Sequence, residues 1–371
     1  MKKIIFNCST NIQGGPVQNA ANFILETQND HEFEFYYFIS PQIYSMISNS
    51  FKNKRNCFLI KKSPSKNLRW RKFIKKKENL IKPDLVFTMA GPSYVKFKNK
   101  HLMGCSNPYL LFANINDVRF GRSYTETLLR ILRTIYQKYF IKKADFYIFQ
   151  TEYSKEVFYR KYKFPKKNLF YVPNAIGFLN YNNRQIQTSS IPKVKTKIRV
   201  LCPFENYPHK GLHTLPIVDN ILKRSGIKVE FQVTISLDDL NKRQFSTFKK
   251  IKNINFIGRQ KYDEMIKTYA ENDLVFLPSV LEVFSSVTIE SLYFKKPLVL
   301  SDKKFNREII DEYGIYCNPF SPQDCANKII QGYKLVDNEE YLSNAKNFIS
   351  EKYNFYEKRF QSIKKIFREI I

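Results

Sequence analysis

Short apolar runs alternate with longer amphipathic or polar stretches along most of the chain. In the first half, the apolar runs predict strands at residues 2–8, 33–39, 84–88, 101–104 and 145–150. Helical patterns separate these runs, and the longest extends from Tyr124 to Ile141. The alternation begins again at Lys197–Cys202 in the second half. Strands that alternate with helices predict parallel sheets covered by helices, which is the α/β class.

The chain is expected to form two domains. Its 371 residues are enough for two units that each bury a core. A polar stretch rich in Asn, Gln and Ser, from 178 to 196, separates the two strand–helix series. We therefore predict a Rossmann-like domain at 1–177, a linker at 178–196 and a second Rossmann-like domain at 197–371. The last helix can pack back on the first domain.

The composition excludes several classes of protein. A hydrophobic fraction of 43% and 33 Phe residues are incompatible with a disordered chain. The six cysteines are scattered without a C-x-x-C pair, which argues against a metal site and a disulfide framework. No signal peptide and no apolar run long enough to cross a bilayer are present in the sequence. These features predict a protein of the reducing cytoplasm, either soluble or peripheral on a membrane.

Two glutamates, Glu282 and Glu290, follow a short apolar run at Leu274–Leu277. The run predicts a buried strand, and the stretch from Ser285 to Lys295 predicts a helix. Ser286 and Glu290 are four residues apart, so they share a face of that helix, separated by about 5.4 Å along its axis.

The start of this helix predicts an anion site, because its backbone N–H groups lack helical partners and carry a partial positive charge. A diphosphate on the amides of Ser285, Ser286 and Val287 would leave an attached ribose near Glu290. A carboxylate there can accept hydrogen bonds from two adjacent hydroxyls. Glu282 would face the other side of the diphosphate, where a transferred sugar lies. The spacing alone is equally consistent with two ordinary surface glutamates.

The segment from Glu282 to Glu290 resembles the E-x7-E signature of retaining GT-B glycosyltransferases of family 4. The likeness extends upstream over Asn255–Gly258 and downstream over Pro297–Asp302, and Phe170–Ala175 resembles the last strand of the family's first domain. The resemblance implies two Rossmann-like parallel-sheet domains that face a deep interdomain cleft.

The same resemblance implies an activity. It is the transfer of a hexosyl group from a nucleotide sugar, UDP- or GDP-linked, with retention at the anomeric carbon. The acceptor is a lipid-linked or oligosaccharide glycan of the bacterial O-antigen or capsule type. The family needs no cofactor or metal, and the chain has no Asp-x-Asp pair to hold a Mg²⁺–diphosphate complex.

The resemblance also assigns catalytic residues. Lys210 matches the lysine that stabilises the donor diphosphate as a point charge, and Glu282 would hold sugar hydroxyls near the reacting carbon. The family carries an arginine five residues before this lysine, but Glu205 stands at that position. His209 and Arg259 are the candidates for replacing the missing arginine.

Two further donor contacts and one histidine complete the implied site. Phe284 would form a wall of the pocket, although a core role fits it equally well. Gly15, in the loop after the first strand, would let the backbone approach a ligand closely, or would serve only the turn. The family's histidine in the first domain has no clear match, and His101 is expected to be a core residue.

The charge balance predicts a second surface. The formal net charge is +29, and residues 1–177 contribute 31 Lys and Arg against 11 Asp and Glu. Much of this excess lies in residues 52–82, the basic segment, whose single acid is Glu78. Its cations are Lys52, Lys54, Arg55, Lys61, Lys62, Lys66, Arg69, Arg71, Lys72, Lys75, Lys76, Lys77 and Lys82. At about 1 kcal/mol per cation, this segment suits an anionic membrane surface, with Trp70 as an interfacial anchor.

Three alternatives stay open. The basic segment can be an ordinary solvated face. The pI of about 9.7 also fits a nucleic-acid-binding protein, although no helix-turn-helix, RNP or zinc pattern is present and no nucleic-acid partner is expected. A GT-B fold can instead carry a sugar-nucleotide epimerase or an inverting transferase. The favoured prediction is a cytoplasmic transferase, peripheral on the inner face of the cytoplasmic membrane.

Overall fold

The computed structural model describes residues 1–48, 50–51, 54–176, 197–353 and 356–371, and these form two compact units. In the described part of the chain, the first unit comprises 1–113, 128–176 and 356–371, and the second comprises 114–127 and 197–353. The predicted linker at 178–196 and Lys52 of the basic segment lie outside the described residues.

The first unit is built on a parallel sheet of seven strands in the order β3-β2-β1-β4-β5-β6-β7. The strands are β1 Lys2–Cys8, β2 Phe33–Ile39, β3 Cys57–Leu59, β4 Leu85–Thr88, β5 His101–Gly104, β6 Phe146–Phe149 and β7 Leu169–Tyr171. The helices are α1 Gly15–Thr27, α2 Pro41–Ile47, α3 Leu68–Ile81, α4 Pro108–Leu111, α6 Tyr124–Ile141 (whose first turn belongs to the second unit), α7 Glu152–Tyr162 and α15 Tyr356–Ile370.

The sheet of the first unit is covered on both faces. Successive strand residues point to opposite faces, so Ile4 and Phe6 join one buried cluster while Ile5 joins another. In the larger cluster, the ring centroids of Phe23 and Phe6 are 4.5 Å apart. Phe360, Ile363 and Phe367 of α15 pack into the same cluster. Burial of such side chains, at about 1.5–3 kcal/mol each, fixes α15 on the first unit.

His101 occupies a core position in β5. The residue is buried, and its Nε2 atom lies 2.8 Å from Thr88 Oγ1. Burial lowers the pKa of His101 to about 3, so the imidazole is neutral near neutral pH. This confirms the expected core role.

The basic segment carries its charges on α3. Arg69, Lys72, Lys75 and Lys76 are exposed there. Trp70 is half-buried, lies edge-to-face on Phe73 at 5.3 Å, and packs against the smaller cluster. The indole therefore contributes partly to the core, and its role as an interfacial anchor stays a prediction.

The second unit is built on a parallel sheet of six strands in the order β10-β9-β8-β11-β12-β13. The strands are β8 Ile198–Cys202, β9 Val229–Val233, β10 Ile254–Phe256, β11 Leu274–Leu277, β12 Leu298–Ser301 and β13 Ile315–Cys317. The helices are α5 Ile115–Arg119, α8 Leu215–Arg224, α9 Lys242–Phe248, α10 Tyr262–Glu271, α11 Ser286–Tyr293, α12 Lys304–Ile310, α13 Pro322–Tyr333 and α14 Glu339–Lys352. The two sheets confirm the predicted α/β class with two parallel-sheet domains.

Residues 114–127 belong to the second unit, although the predicted boundary at 177 assigns them to the first domain. Asp117 Oδ1 lies 3.2 Å from Lys303 Nζ. The ring centroid of Phe120 lies 4.5 Å from that of His213 and 5.3 Å from that of Phe320. These contacts join residues far apart in sequence, so no local pattern indicates them.

Of the helices in the described ranges, none has an apolar stretch long enough to cross a membrane.

Candidate functional site

The strand order of the second unit determines where a ligand can bind. β8 lies between β9 and β11, so the direction in which strands are added reverses between β8 and β11. In open parallel sheets, ligands bind beyond the carboxyl ends of the strands at this switch point. The segment containing Lys210 follows β8, and the segment containing Glu282 follows β11. Both predicted catalytic residues therefore belong to this edge of the sheet.

A tight turn positions Lys210. Residues Pro208–Lys210 form one 3₁₀ turn, which ends at Gly211 in the left-handed conformation with φ +84°. The amide of Val280, beyond β11, donates a hydrogen bond of 2.9 Å to the carbonyl oxygen of His209. An ideal Cβ at Gly211 would lie 2.9 Å from Pro278 Cγ. The turn after β8 and the loop after β11 are thus packed directly against each other.

Lys210 and Glu282 form an ion pair between Nζ and Oε1. Both side chains are largely buried, with exposures of 16% and 15%. Apart from this ion pair, Glu282 Oε1 has no hydrogen-bond donor among the described residues. Since a carboxylate oxygen accepts more than one hydrogen bond, Glu282 has capacity left for a donor such as a sugar hydroxyl.

Glu290 is the buried carboxylate of the site, on α11. The Tyr269 hydroxyl donates a hydrogen bond of 3.1 Å to Glu290 Oε2, and the Ser286 side chain provides another, as the four-residue spacing predicts. Burial raises the pKa of Glu290 above its ordinary value, and the hydrogen bonds from Tyr269 and Ser286 oppose that rise. Glu290 is thus a buried carboxylate with a perturbed pKa on the helix that follows β11, which makes it a candidate site residue.

The start of α11 has the features of an anion site. Ser285 is its N-cap, but the Ser285 side chain makes no capping hydrogen bond. The carbonyl oxygen of Ser285 instead accepts hydrogen bonds from the Thr288 amide at 3.1 Å and the Thr288 hydroxyl at 2.6 Å. Because no capping side chain covers the helix start, the amides of Ser285, Ser286 and Val287 are suitable donors to an anion.

Glu205, which stands where the resemblance predicts an arginine, forms an ion pair. Arg259 Nη2 lies 2.7 Å from Glu205 Oε2, so the guanidinium is held at the residue that replaces the family's arginine. His209 instead stacks its ring on that of Tyr207, with centroids 5.5 Å apart. Arg259 therefore has an acidic partner in Glu205, and both Arg259 and His209 stay predicted replacements for the arginine.

The other predicted donor contacts have separate surroundings. Phe284 is half-buried and lies edge-to-face on Tyr353 at 5.4 Å, where α14 ends. Gly15 is exposed at the first position of α1, in the first unit. The left-handed conformation belongs to Gly14, with φ +66°, and an ideal Cβ at Gly15 meets no atom within 4 Å. The turn therefore requires Gly14 rather than Gly15.

Sequence reasoning missed Tyr269 as a site residue. The tyrosine lies on α10 and is buried, with its ring stacked on Phe294 at 5.0 Å. Its link to Glu290 depends on how two helices pack, so no spacing rule indicates it. Among the described residues, no group of three or more His, Cys, Asp or Glu side chains is arranged to hold a metal ion.

Comparisons with known proteins bear on the family and on the fold. The family model of glycosyl transferases group 1 matches residues 190–351. An uncharacterised glycosyltransferase of Methanocaldococcus jannaschii is 29% identical over an alignment of 138 residues, and the match covers 33% of this chain and 38% of that protein. The aligned region thus spans well under half the length of this relative.

Solved structures match over the whole chain at low sequence identity. Sucrose-phosphate synthase of Thermosynechococcus elongatus is 12% identical with a TM-score of 0.75, covering 100% of this chain and 99% of that one. Anabaena HepE in complex with UDP and glucose is 15% identical with a TM-score of 0.69, covering 100% of both chains. The UDP-GlcNAc 2-epimerase of Neisseria meningitidis, bound to UDP-GlcNAc, also covers both chains, at 15% identity and a lower TM-score of 0.63. Within the second unit, the chain therefore matches the model of glycosyl transferases group 1, and the chain as a whole has the fold of GT-B glycosyltransferases.

Proposed function

We propose that this chain is a retaining glycosyltransferase that moves a hexosyl group from a nucleotide-diphosphate sugar to a growing, lipid-linked bacterial surface glycan of the O-antigen or capsule type. One observation carries the proposal. Lys210, in the segment after β8, forms an ion pair with Glu282, in the segment after β11, and the buried Glu290 lies on the next helix, α11. β8 and β11 are the neighbouring strands at the switch point of the second sheet. This is the edge where an α/β sheet binds its ligand.

The proposed donor lies along α11. Its diphosphate accepts hydrogen bonds from the amides at the start of the helix, and its ribose lies one helical turn further on, at Glu290. Lys210 and Arg259 supply positive charge to the phosphates. The leaving group is a nucleoside diphosphate, so preorganised donors that stabilise its developing charge lower the barrier to transfer. The match to HepE with UDP and glucose supports a UDP-sugar, with a GDP-sugar as the other expected donor.

Glu282 is proposed to act on the sugar side of the diphosphate. Its ion pair with Lys210 fixes the carboxylate, while Oε1 retains capacity to accept a sugar hydroxyl. A negative charge at this point also stabilises positive charge that develops on the sugar ring during transfer.

Transfer is proposed to need no metal. Lys210 and the start of α11 supply the charge stabilisation that a divalent cation gives to a diphosphate in other transferases, and the sequence has no Asp-x-Asp pair. We expect the rate of transfer in excess EDTA to equal the rate with added Mg²⁺. A rate that depends on Mg²⁺ would contradict this part of the proposal.

The site assignment is tested by steady-state kinetics after a donor has been identified from the thermal shifts that UDP, GDP, ADP and their sugars produce. Glu290→Ala should mainly raise the donor KM, since it removes ribose contacts, and Glu282→Ala should mainly lower kcat. Glu339→Ala, on the exposed start of α14, is the matched control. Kinetics like the control for both site variants would refute the assignment.

The anomeric configuration of the product distinguishes the alternatives. NMR of the product should show the same configuration as the donor, and inversion would favour an inverting transferase. The match to a UDP-GlcNAc 2-epimerase favours a second candidate, interconversion of sugar nucleotides. An epimerase alters the nucleotide sugar without an acceptor, whereas the proposed transferase releases the nucleoside diphosphate only as it glycosylates an acceptor.

The acceptor is proposed to be reached at the inner face of the cytoplasmic membrane. Four cations of α3 are exposed, namely Arg69, Lys72, Lys75 and Lys76. The carboxylate of Glu78 is buried and accepts hydrogen bonds from the amides of Lys98 and Asn99 at 2.7 and 3.0 Å. The surface of α3 is therefore strongly positive and suits anionic lipid headgroups. Flotation with anionic vesicles at low salt should recover the protein with the lipid, and its absence from that fraction would contradict the membrane location.

A further inference from the structure

Helix α6 exposes a continuous apolar stripe in the first unit. The stripe consists of Leu128, Leu129, Leu132, Ile135, Tyr136 and Tyr139, whose exposures lie between 41% and 64%. These positions recur every three or four residues, so they form one face of the helix. Isolated exposed apolar residues are common, but a contiguous face of them marks an interaction site.

The opposite face of α6 is packed on the protein. The Arg130 guanidinium lies over the ring of Tyr109, 4.1 Å from its centroid. Gln137 Nε2 donates a hydrogen bond of 3.1 Å to the Tyr94 hydroxyl. Ile141 is completely buried at the end of the helix. Since these contacts fix which way the helix faces, the apolar stripe is held outward rather than exposed by a poorly packed helix.

The basic helix α3 lies beside this stripe. The Arg71 guanidinium is 4.9 Å from the ring centroid of Phe140 on α6 and donates a hydrogen bond to the Tyr136 hydroxyl. The Tyr136 hydroxyl donates in turn to the carbonyl oxygen of Ser65, at 3.1 Å. The apolar stripe is therefore bordered by α3, a helix that carries the exposed cations Arg69, Lys72, Lys75 and Lys76 and whose one acid, Glu78, is turned inward.

We propose that α6 lies in the interfacial region of an anionic bilayer, with its stripe against the acyl chains and the cations of α3 on the lipid phosphates. An apolar helix face bordered by Lys and Arg is the pattern of a helix in the plane of a membrane surface. A protein partner would not require a cationic border, whereas anionic headgroups match it in sign. The inference rests on the proposed membrane location but assigns the insertion to α6, which the basic segment 52–82 does not include.

Vesicle binding at low salt and at high salt separates charge attraction from apolar insertion. In about 0.5 M NaCl, screening beyond about 4 Å suppresses charge attraction, so residual binding to phosphatidylglycerol–phosphatidylethanolamine vesicles reports on apolar insertion. We expect Leu132→Asn/Ile135→Asn to lower the residual partition coefficient at least about tenfold. Ile217→Asn on α8, where the exposure of 51% is close to the 58% of Ile135, should change it less than about twofold.

A spectroscopic measurement tests the depth of insertion. The chain has one tryptophan, Trp70, so Trp70→Phe gives a background in which a new indole reports on its own position. Brominated acyl chains should quench the fluorescence of Ile135→Trp in this background, and should not quench that of Ile217→Trp. Equal quenching at both positions would overturn the proposal.

Two further outcomes are decisive. Wild-type residual binding equal to that of Leu132→Asn/Ile135→Asn would overturn the proposal. A wild-type dimer in solution that the same double variant dissociates would also overturn it, because the stripe would then be an interface between copies. Thermal shifts with UDP, measured on every variant, test the donor site separately, so failure of the membrane proposal and failure of the transferase proposal give different results.

Discussion

Gly211 offers a direct test of whether the turn after β8 positions Lys210. The residue has φ +84°, and its Cα faces Pro278 in the loop after β11. In Gly211→Ala, the new Cβ would lie 2.9 Å from Pro278 Cγ and 3.2 Å from the Pro278 carbonyl oxygen. One of the two segments must therefore shift, and the lysine precedes the substituted residue directly.

The magnitude follows from two effects. An alanine in the left-handed region costs about 1–2 kcal/mol, offset by about 0.4–1 kcal/mol from the stiffer unfolded chain. Forcing a methyl group against Pro278 adds about 1–3 kcal/mol. Gly226→Ala is the matched control, because Gly226 has φ +75° in the same unit but no atom within 4 Å of its ideal Cβ. We expect Gly211→Ala to lower the free energy of unfolding by about 2–4 kcal/mol and the control by about 1 kcal/mol.

The assays are urea denaturation and steady-state kinetics on the same two variants. A displacement of about 1 Å at a catalytic group can reduce a rate about a hundredfold, so we expect kcat/KM of Gly211→Ala to fall about ten- to a hundredfold. The control should retain the wild-type value. If Gly211→Ala matched the control in both stability and kcat/KM, the packing of the turn against Pro278 would not position Lys210.

Three further predictions concern other contacts. Tyr269→Phe should shift the acidic limb of the pH profile of kcat/KM to higher pH, since it removes a hydrogen bond that lowers the pKa of Glu290; an unchanged limb would exclude Glu290 as the titrating group. Lys364→Met should lower the free energy of unfolding, measured by urea denaturation, by about 3 kcal/mol, because the Asp30 side chain, which is 2% exposed, loses its cation. Lys364→Arg keeps the charge and should lose much less stability. Arg259→Ala should raise the donor KM about three- to tenfold with little change in kcat if its cation contacts the diphosphate, and an unchanged KM would remove Arg259 from the site.

Much of the fold follows from local pattern. The strands predicted at 33–39 and 101–104 coincide with β2 and β5, because each apolar run is bounded by polar or turn residues. The strand predicted at 84–88 begins one residue later. The Asp84 amide donates a hydrogen bond to the Lys3 carbonyl oxygen, but the Lys3 amide donates to the Asp84 side chain and not to a carbonyl oxygen, both at 2.8 Å. Strand ends are therefore less predictable than strand centres, since polar side chains there can replace ladder hydrogen bonds.

The site is predictable only where its geometry is local. Ser286 and Glu290 meet because a helix brings residues four apart onto one face. Lys210 and Glu282 meet because β8 and β11 are neighbouring strands. The local sequence of neither segment specifies the order of the strands in the sheet. The pairing of Arg259 with Glu205 is equally remote in sequence. The family resemblance placed Lys210 and Glu282 near one donor and named Arg259 as a replacement for the arginine expected at Glu205, but it predicted neither ion pair.

The two glutamates differ in a way that bears on their roles. Glu282 has a cation, Lys210, as its partner and remains partly exposed, so its charge is stabilised before any ligand binds. Glu290 is buried, and the hydrogen-bond partners identified for its side chain, Tyr269 and Ser286, are neutral hydroxyls. Burial of a carboxylate without a cation destabilises a fold, and core packing would be better served by an apolar side chain. The hydroxyls of a ribose are further neutral donors of the same kind, and they would relieve that cost when the donor binds. A bound ribose would therefore give the carboxylate of Glu290 a purpose that core packing does not, which supports the proposed donor site.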